Sequence, residues 1–191
     1  GANQVFLTNE EDFLVLAPRF SPNGNKLLFT SYESGSPQIY LLDIRSRTKI
    51  ILQENPGEMS FSSSFSPNGE DIVFSLSAGS NTDIYKLNIA SNSRSRLTSS
   101  VAIDTAPSFS PDGRKVVFES DRSGTQQLYI MPSSGGNAKR ISFGKGLSIL
   151  NPPILATIIG RCSFGNFLFN FLFSFLLSFL LCFRLDFLYM I

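Results

Sequence analysis

The chain has 191 residues, with 16 Lys or Arg, 15 Asp or Glu and no His, a length that accommodates one domain with or without an appendage. Up to residue 146 the charges, 14 of each sign, are scattered in runs no longer than three, and without a basic stripe to follow a phosphate backbone a nucleic-acid role is disfavoured. The missing His removes the usual base of nucleophilic triads, the commonest zinc ligand and the physiological pH switch, so no catalytic residue, metal or cofactor is expected.

In chain order, the opening "GANQVFLT" matches "GGNAKRIS" at residues 135–142 in spacing, so the text starts inside a repeat. No initiator Met, charged n-region or apolar h-region precedes it, which reads as a fragment or processed product whose targeting signal lies elsewhere. "FSPNG" begins at Phe20 and returns at Phe65, 45 residues on, and "FSPDG" begins at Phe109 after 44 more. On that register Phe29, Phe74 and Phe118 share a column. So do Ile39-Tyr40, Ile84-Tyr85 and Leu128-Tyr129, and Leu7-Thr8, Leu52-Gln53, Leu97-Thr98 and Ile141-Ser142.

Within each period the apolar runs are four to six residues long and rich in Val, Ile, Phe and Tyr, too short for helices and suited to a pleated surface. The third copy predicts strands "PSFS" (107–110), "KVVFES" (115–120), "QLYIM" (127–131) and "AKRIS" (138–142). The turns between them have a mechanism. In "SPDG" Pro111 presets φ, Asp112 tolerates the bridge region and Gly113 takes positive φ beyond the turn. Four short antiparallel strands per period of about 44 residues make a β-propeller blade. The fold class is therefore all-β, a partial propeller of about three four-stranded blades in residues 1–146.

Blades press on neighbours through both faces, so runs such as "KLLFT", "DIVFS" and "KVVFE" read as buried inner strands and the Phe column as core between blades. Three blades do not close a ring, which predicts two end faces without neighbours. Asp43, Asp71, Asp83, Asp104, Asp112 and Asp121 all fall at turns or strand ends, where a carboxylate is expected to accept a nearby backbone N–H.

A fourth "FSPxG" is due near residue 153 and does not arrive. Residues 147–191 instead form an apolar block with 9 of the 19 Phe and both cysteines, Cys162 and Cys182, which have no metal-ligand spacing. Three readings stand open. Residues 162–183 form a transmembrane helix of 22 uncharged residues between Arg161 and Arg184; "NFLFNFLFSF" is a strand that caps the propeller; or the block is a frameshift product, since a Phe, Leu, Ile, Ser and Asn vocabulary is what out-of-frame reading of AT-rich DNA yields.

"FSPDG" followed by "SDRSG", "QLYIM" and "RISFGKG" resembles the repeat of TolB-type propellers, and the resemblance covers about residues 1–146. It implies a periplasmic, non-enzymatic component of the Tol-Pal envelope system that supports outer-membrane integrity and constriction at division. One end of a six-bladed propeller in that family docks the peptidoglycan-associated lipoprotein, Pal, and an N-terminal domain absent from this sequence engages TolA. The family's partner surface lies on the loops entering the first strand of each blade. Here these are "VLAPRF" (15–20), "EMSFSSSF" (58–65) and "IDTAPSF" (103–109), with Met59, Ser62, Asp104 and Thr105 as the implied contacts. Two other classes compete. A propeller accessory to a serine peptidase would bring G-x-S-x-G and a downstream His, neither of which this text contains, and a membrane-tethered interaction protein would need the apolar block to insert.

Overall fold

The computed structural model describes Leu7 and residues 13–53 and 55–143. The first blade holds β1 (Val15–Phe20), β2 (Lys26–Ser31), β3 (Gln38–Asp43) and β4 (Lys49–Ile51). The second holds β5 (Glu58–Phe65), β6 (Asp71–Ala78), β7 (Asn81–Asn88) and β8 (Ser93–Arg96), and the third β9 (Asp104–Phe109), β10 (Lys115–Ser120), β11 (Gln127–Pro132) and β12 (Lys139–Arg140). Each set of four hydrogen-bonds in chain order as one antiparallel sheet, so the four-strand period is the physical unit. The readings of residues 147–191 lie outside the described residues.

The recurring pentapeptide is a hairpin that fastens itself. In each copy the glycine N–H donates to the serine carbonyl at 2.9 Å, from Gly24 to Ser21, Gly69 to Ser66 and Gly113 to Ser110. The serine hydroxyl accepts the N–H of Lys26, Asp71 or Lys115, each at 2.9 Å. It also donates to the side chain two residues on, Asn23, Asn68 or Asp112, at 2.6 to 2.8 Å. Positive φ at Gly69 and Gly113, 75° and 71°, suits glycine, and a Cβ there would meet Pro22 and Pro67 of the preceding blade's hairpin at 3.4 Å. Ser66→Ala is expected to leave the Asp71 N–H without its acceptor and to cost about 1 kcal/mol in denaturant unfolding.

The columns sort by face. Phe65, Ile72, Phe74 and Leu87 of the second blade meet Leu28, Ile39, Leu41 and Leu52 of the first. One blade on, Phe109, Val116, Phe118, Tyr129 and Met131 meet Val73, Ile84 and Leu97. Phe29, Phe74 and Phe118 are 1%, 0% and 0% exposed, and each packs on the tyrosine directly opposite, Tyr40, Tyr85 and Tyr129, with centroids 5.6 to 6.1 Å apart, the first and third pairs stacked and the second tilted. The leading face of the first blade is less bare than the sequence suggested. Leu7 takes the place there that Leu52 and Leu97 take against the next two blades, over Leu27, Phe29, Tyr40 and Leu42. Phe20 alone of its column is open, 66% exposed against 9% for Phe65 and 8% for Phe109.

One expectation needs correction. The segments read as entrance loops are the first strands themselves, β1, β5 and β9, hydrogen-bonded to β2, β6 and β10. Turn-free polar text such as "SFSSSF" lacks the apolar run that marks a strand, yet its backbone is held in the ladder by the buried strand beside it.

Candidate partner-binding surface

The three first strands lie side by side, β5 against both β1 and β9, and form the common inner wall of the blades. Each has the same defect in the same place. Ala17-Pro18, Ser62-Ser63 and Ala106-Pro107 set two residues opposite the single Phe29, Phe74 or Phe118, and Ala17, Ser62 and Ala106 carry φ of 52°, 54° and 50°. Such a bulge bends its strand and re-aims the side chains before it. The Ala106 N–H, turned out of its own sheet, donates to Ser75 Oγ of the second blade at 3.2 Å.

Ahead of the bulges, the repeat places an apolar residue of each blade in solvent at the same position, with Phe13 and Val15 of the first blade exposed as well. Leu14, Met59 and Ile103 occupy equivalent positions and are 45%, 42% and 48% exposed; Val101 beside them is fully open. A core would bury such residues, so their recurrence at one end of the blades marks a contact surface. Sequence reasoning found Met59 and missed Leu14 and Ile103, although all three stand six residues before the signature Phe.

Several polar groups behind this rim are paired. In the second blade Ser60 is buried, receives the Ile39 N–H at 3.1 Å and donates to Gln38 Oε1 at 3.0 Å, while Gln38 Nε2 donates to the Glu58 carbonyl at 2.9 Å. Glu58 accepts two bonds from Arg94, whose guanidinium holds the Glu58 carboxyl below the usual carboxylate range against a smaller opposing push from burial. Arg94 also lies over Tyr85 at 5.2 Å. In the third blade both carboxylate oxygens of Asp104 accept from Arg122, at 2.9 and 2.7 Å.

Met59 is exposed on β5, and Ser62 is half-buried at the bulge apex. Thr105 is half-buried on β9, opposite Glu119. Asp104 is 0% exposed, because a carboxylate chelated by an arginine is withdrawn into the blade, so it faces inward. Of the six aspartates expected to accept backbone N–H groups, Asp43, Asp112 and Asp121 do so. Asp71, Asp83 and Asp104 accept from the side chains of Asn88, Arg96 and Arg122. Burial pushes the Asp83 carboxyl up despite the Arg96 contact at 2.5 Å. Among the described residues no three His, Cys, Asp or Glu side chains come together to hold a metal. What this end of the blades offers is apolar contact on a frame of largely hydrogen-bonded polar groups, with the buried Thr30 Oγ1 and Ser63 Oγ as exceptions among the described residues.

Three consecutive blades with a shared inner-strand bulge and an apolar rim define a β-propeller protein. Residues 1–156 match the family model described as the TolB beta propeller domain, and the chain belongs to that family. It is 58% identical over 105 residues to the Tol-Pal system protein TolB of Roseobacter denitrificans, 55% of this chain and 24% of that protein. Over 61 residues it is 58% identical to the protein of the same name from Ruegeria sp., 32% of this chain and 14% of that one. Among solved structures, TolB from Acinetobacter baumannii superposes with a TM-score of 0.63 at 32% identity, covering 69% of this chain and 33% of that one. The chain thus spans about a quarter or less of the length of these curated relatives.

Proposed function

We propose that these blades belong to a TolB-like component of the Tol-Pal system, a periplasmic and non-enzymatic scaffold that docks the peptidoglycan-associated lipoprotein on the rim ahead of the inner-strand bulges. The observation that carries this reading is the exposed column Leu14, Met59 and Ile103 at one end of the first strands, in a chain whose relatives are Tol-Pal TolB proteins. Met59, Ile103 and Thr105 would meet the partner directly; Ser62 would shape the strand that presents Met59, and Asp104 would act from inside the blade. The mechanism is rigid presentation. A surface fixed before encounter loses little freedom on binding, so modest apolar contact yields useful affinity. TolA would be engaged by an N-terminal domain outside this sequence, and the assembly would support outer-membrane integrity and constriction at division.

The test is titration of a lipid-free, soluble form of Pal into this chain and into Met59→Glu/Ile103→Glu. Both positions are open to solvent, so the unfolding midpoint should hold while affinity falls by about tenfold or more, the loss typical of central interface contacts. Equal affinity in the two proteins would remove the rim from the interface.

A further inference from the structure

The second and third blades hold their parts of the rim by different means. In the second blade the start of β5 is gripped from outside, by the Pro37 carbonyl, which accepts the Ser60 N–H at 2.9 Å, and by Gln38. In the third blade the grip is internal and comes from the turn between β10 and β11, the "SDRSG" of the sequence. Asp121 Oδ1 accepts the N–H of Ile103 at 2.9 Å, and Arg122 chelates the carboxylate of the next residue, Asp104.

The gripping arm is itself immobilised. Arg122 Nε donates to Ser120 Oγ at 2.9 Å, its guanidinium lies 5.2 Å from the Phe118 ring centroid and 4.8 Å from that of Tyr129, and the turn is closed by the Gly124 N–H on the Asp121 carbonyl at 2.7 Å. A guanidinium lying over two rings and bonded through both Nε and Nη2 keeps one orientation. The corresponding turn of the first blade has Tyr32 and Glu33 in these places. There the Tyr32 N–H donates to the Leu14 carbonyl at 3.2 Å and Glu33 pairs with Lys49, so among the described residues the turn holds that strand through backbone and not through an acidic or basic side chain. In the second blade β6 and β7 are joined by Gly79 and Ser80 alone, too short for such an arm.

We infer that Asp121 and Arg122 are positioning residues for partner docking, setting Ile103 and Thr105 by fixing the backbone of one residue and the inward side chain of the next. Successive side chains of a strand point to opposite faces. Holding Asp104 inside therefore turns Thr105 away from it, and holding the Ile103 N–H stops the exposed side chain at 103 from swinging with the loop before it. This inference rests on the docking surface proposed above and adds to it the device that keeps one third of that surface in register.

The experiment compares this chain with Asp121→Ala, Asp121→Asn and Ile103→Ala, using lipid-free, soluble Pal as the probe and amide hydrogen exchange at Ile103 as a second readout. Asp121→Ala should speed exchange at Ile103 and weaken docking about tenfold, the scale of one lost hydrogen bond to a charged acceptor. Asp121→Asn, whose side-chain oxygen still accepts the bond, should restore both. If Ile103→Ala weakens docking while Asp121→Ala does not, the rim is used but Asp121 does not position it, and the inference is overturned. An Asp121→Ala chain that exchanges at Ile103 as slowly as the parent overturns it independently of any partner. If Ile103→Ala itself docks like the parent, the surface assignment fails, and a positioning role for docking fails with it.

Discussion

Phe74→Ala is expected to lower the unfolding free energy by about 3–5 kcal/mol, the range for emptying a buried aromatic site. Phe74 is 0% exposed and lies in the middle blade, where both faces are covered. It stands opposite the Ser62-Ser63 bulge and Tyr85, and clusters with Leu28, Ile39 and Leu41 of the blade before. The cavity cannot collapse readily, because the ladder hydrogen bonds on either side fix the spacing of the strands. Phe20→Ala, at the equivalent of Phe65 but 66% exposed, provides the contrast and should cost well under half as much. Urea titration of both variants measures the difference, and similar losses for the two would mean that the Phe74 column does not carry the contact between blades.

The second large effect is on pH dependence. Glu119 is 7% exposed on the face of β10 away from the second blade, in the column of Thr30 and Ser75. Burial pushes its carboxyl up to about 7 from an ordinary value of 4.5, against a smaller lowering by the hydrogen bond from Gln126 at 3.3 Å. A carboxyl whose folded pKa lies above its unfolded one binds its proton more tightly when folded. Its contribution to stability is therefore fully present below the unfolded value and is lost as pH rises through the folded one. The window runs from about pH 4.5 to about pH 7, and at roughly 1.4 kcal/mol per unit the loss across it is about 3 kcal/mol. Groups such as Glu58, Asp43 and Asp112, held low by their partners, act in the opposite sense and below that window. Unfolding free energies of the parent and Glu119→Gln, measured between pH 4 and pH 8, should diverge as pH rises, with the Gln variant the more stable at the alkaline end. Parallel curves would show that Glu119 ionises in the folded chain as freely as in the unfolded one.

Much of the fold was legible in the residues because the forces that write it act over short stretches of chain. The hairpin at "FSPxG" is made by a serine, a side chain two residues on and a glycine three residues on, all within one turn. The second strands β6 and β10 are apolar runs that need only be buried, and the Phe column follows from counting the repeat.

The site was legible only in part. Asp104 was correctly placed at the start of a blade, but its inward turn depends on Arg122, 18 residues away. Thr105 and Ser62 were read as loop residues because polar text carries no strand pattern, whereas the register imposed by β10 and β6 makes their segments strands. The exposed trio Leu14, Met59 and Ile103 shares a sequence column, and from sequence an apolar column reads as core.

The repeat, the hairpins and the column between blades thus follow from residues close along the chain. Which apolar residues stay in water, which carboxylates are withdrawn and how the first strands bulge follow from the packing of the strands. Turn chemistry and period are properties of neighbours along the chain, whereas burial and charge partners belong to residues brought together from different strands and different blades.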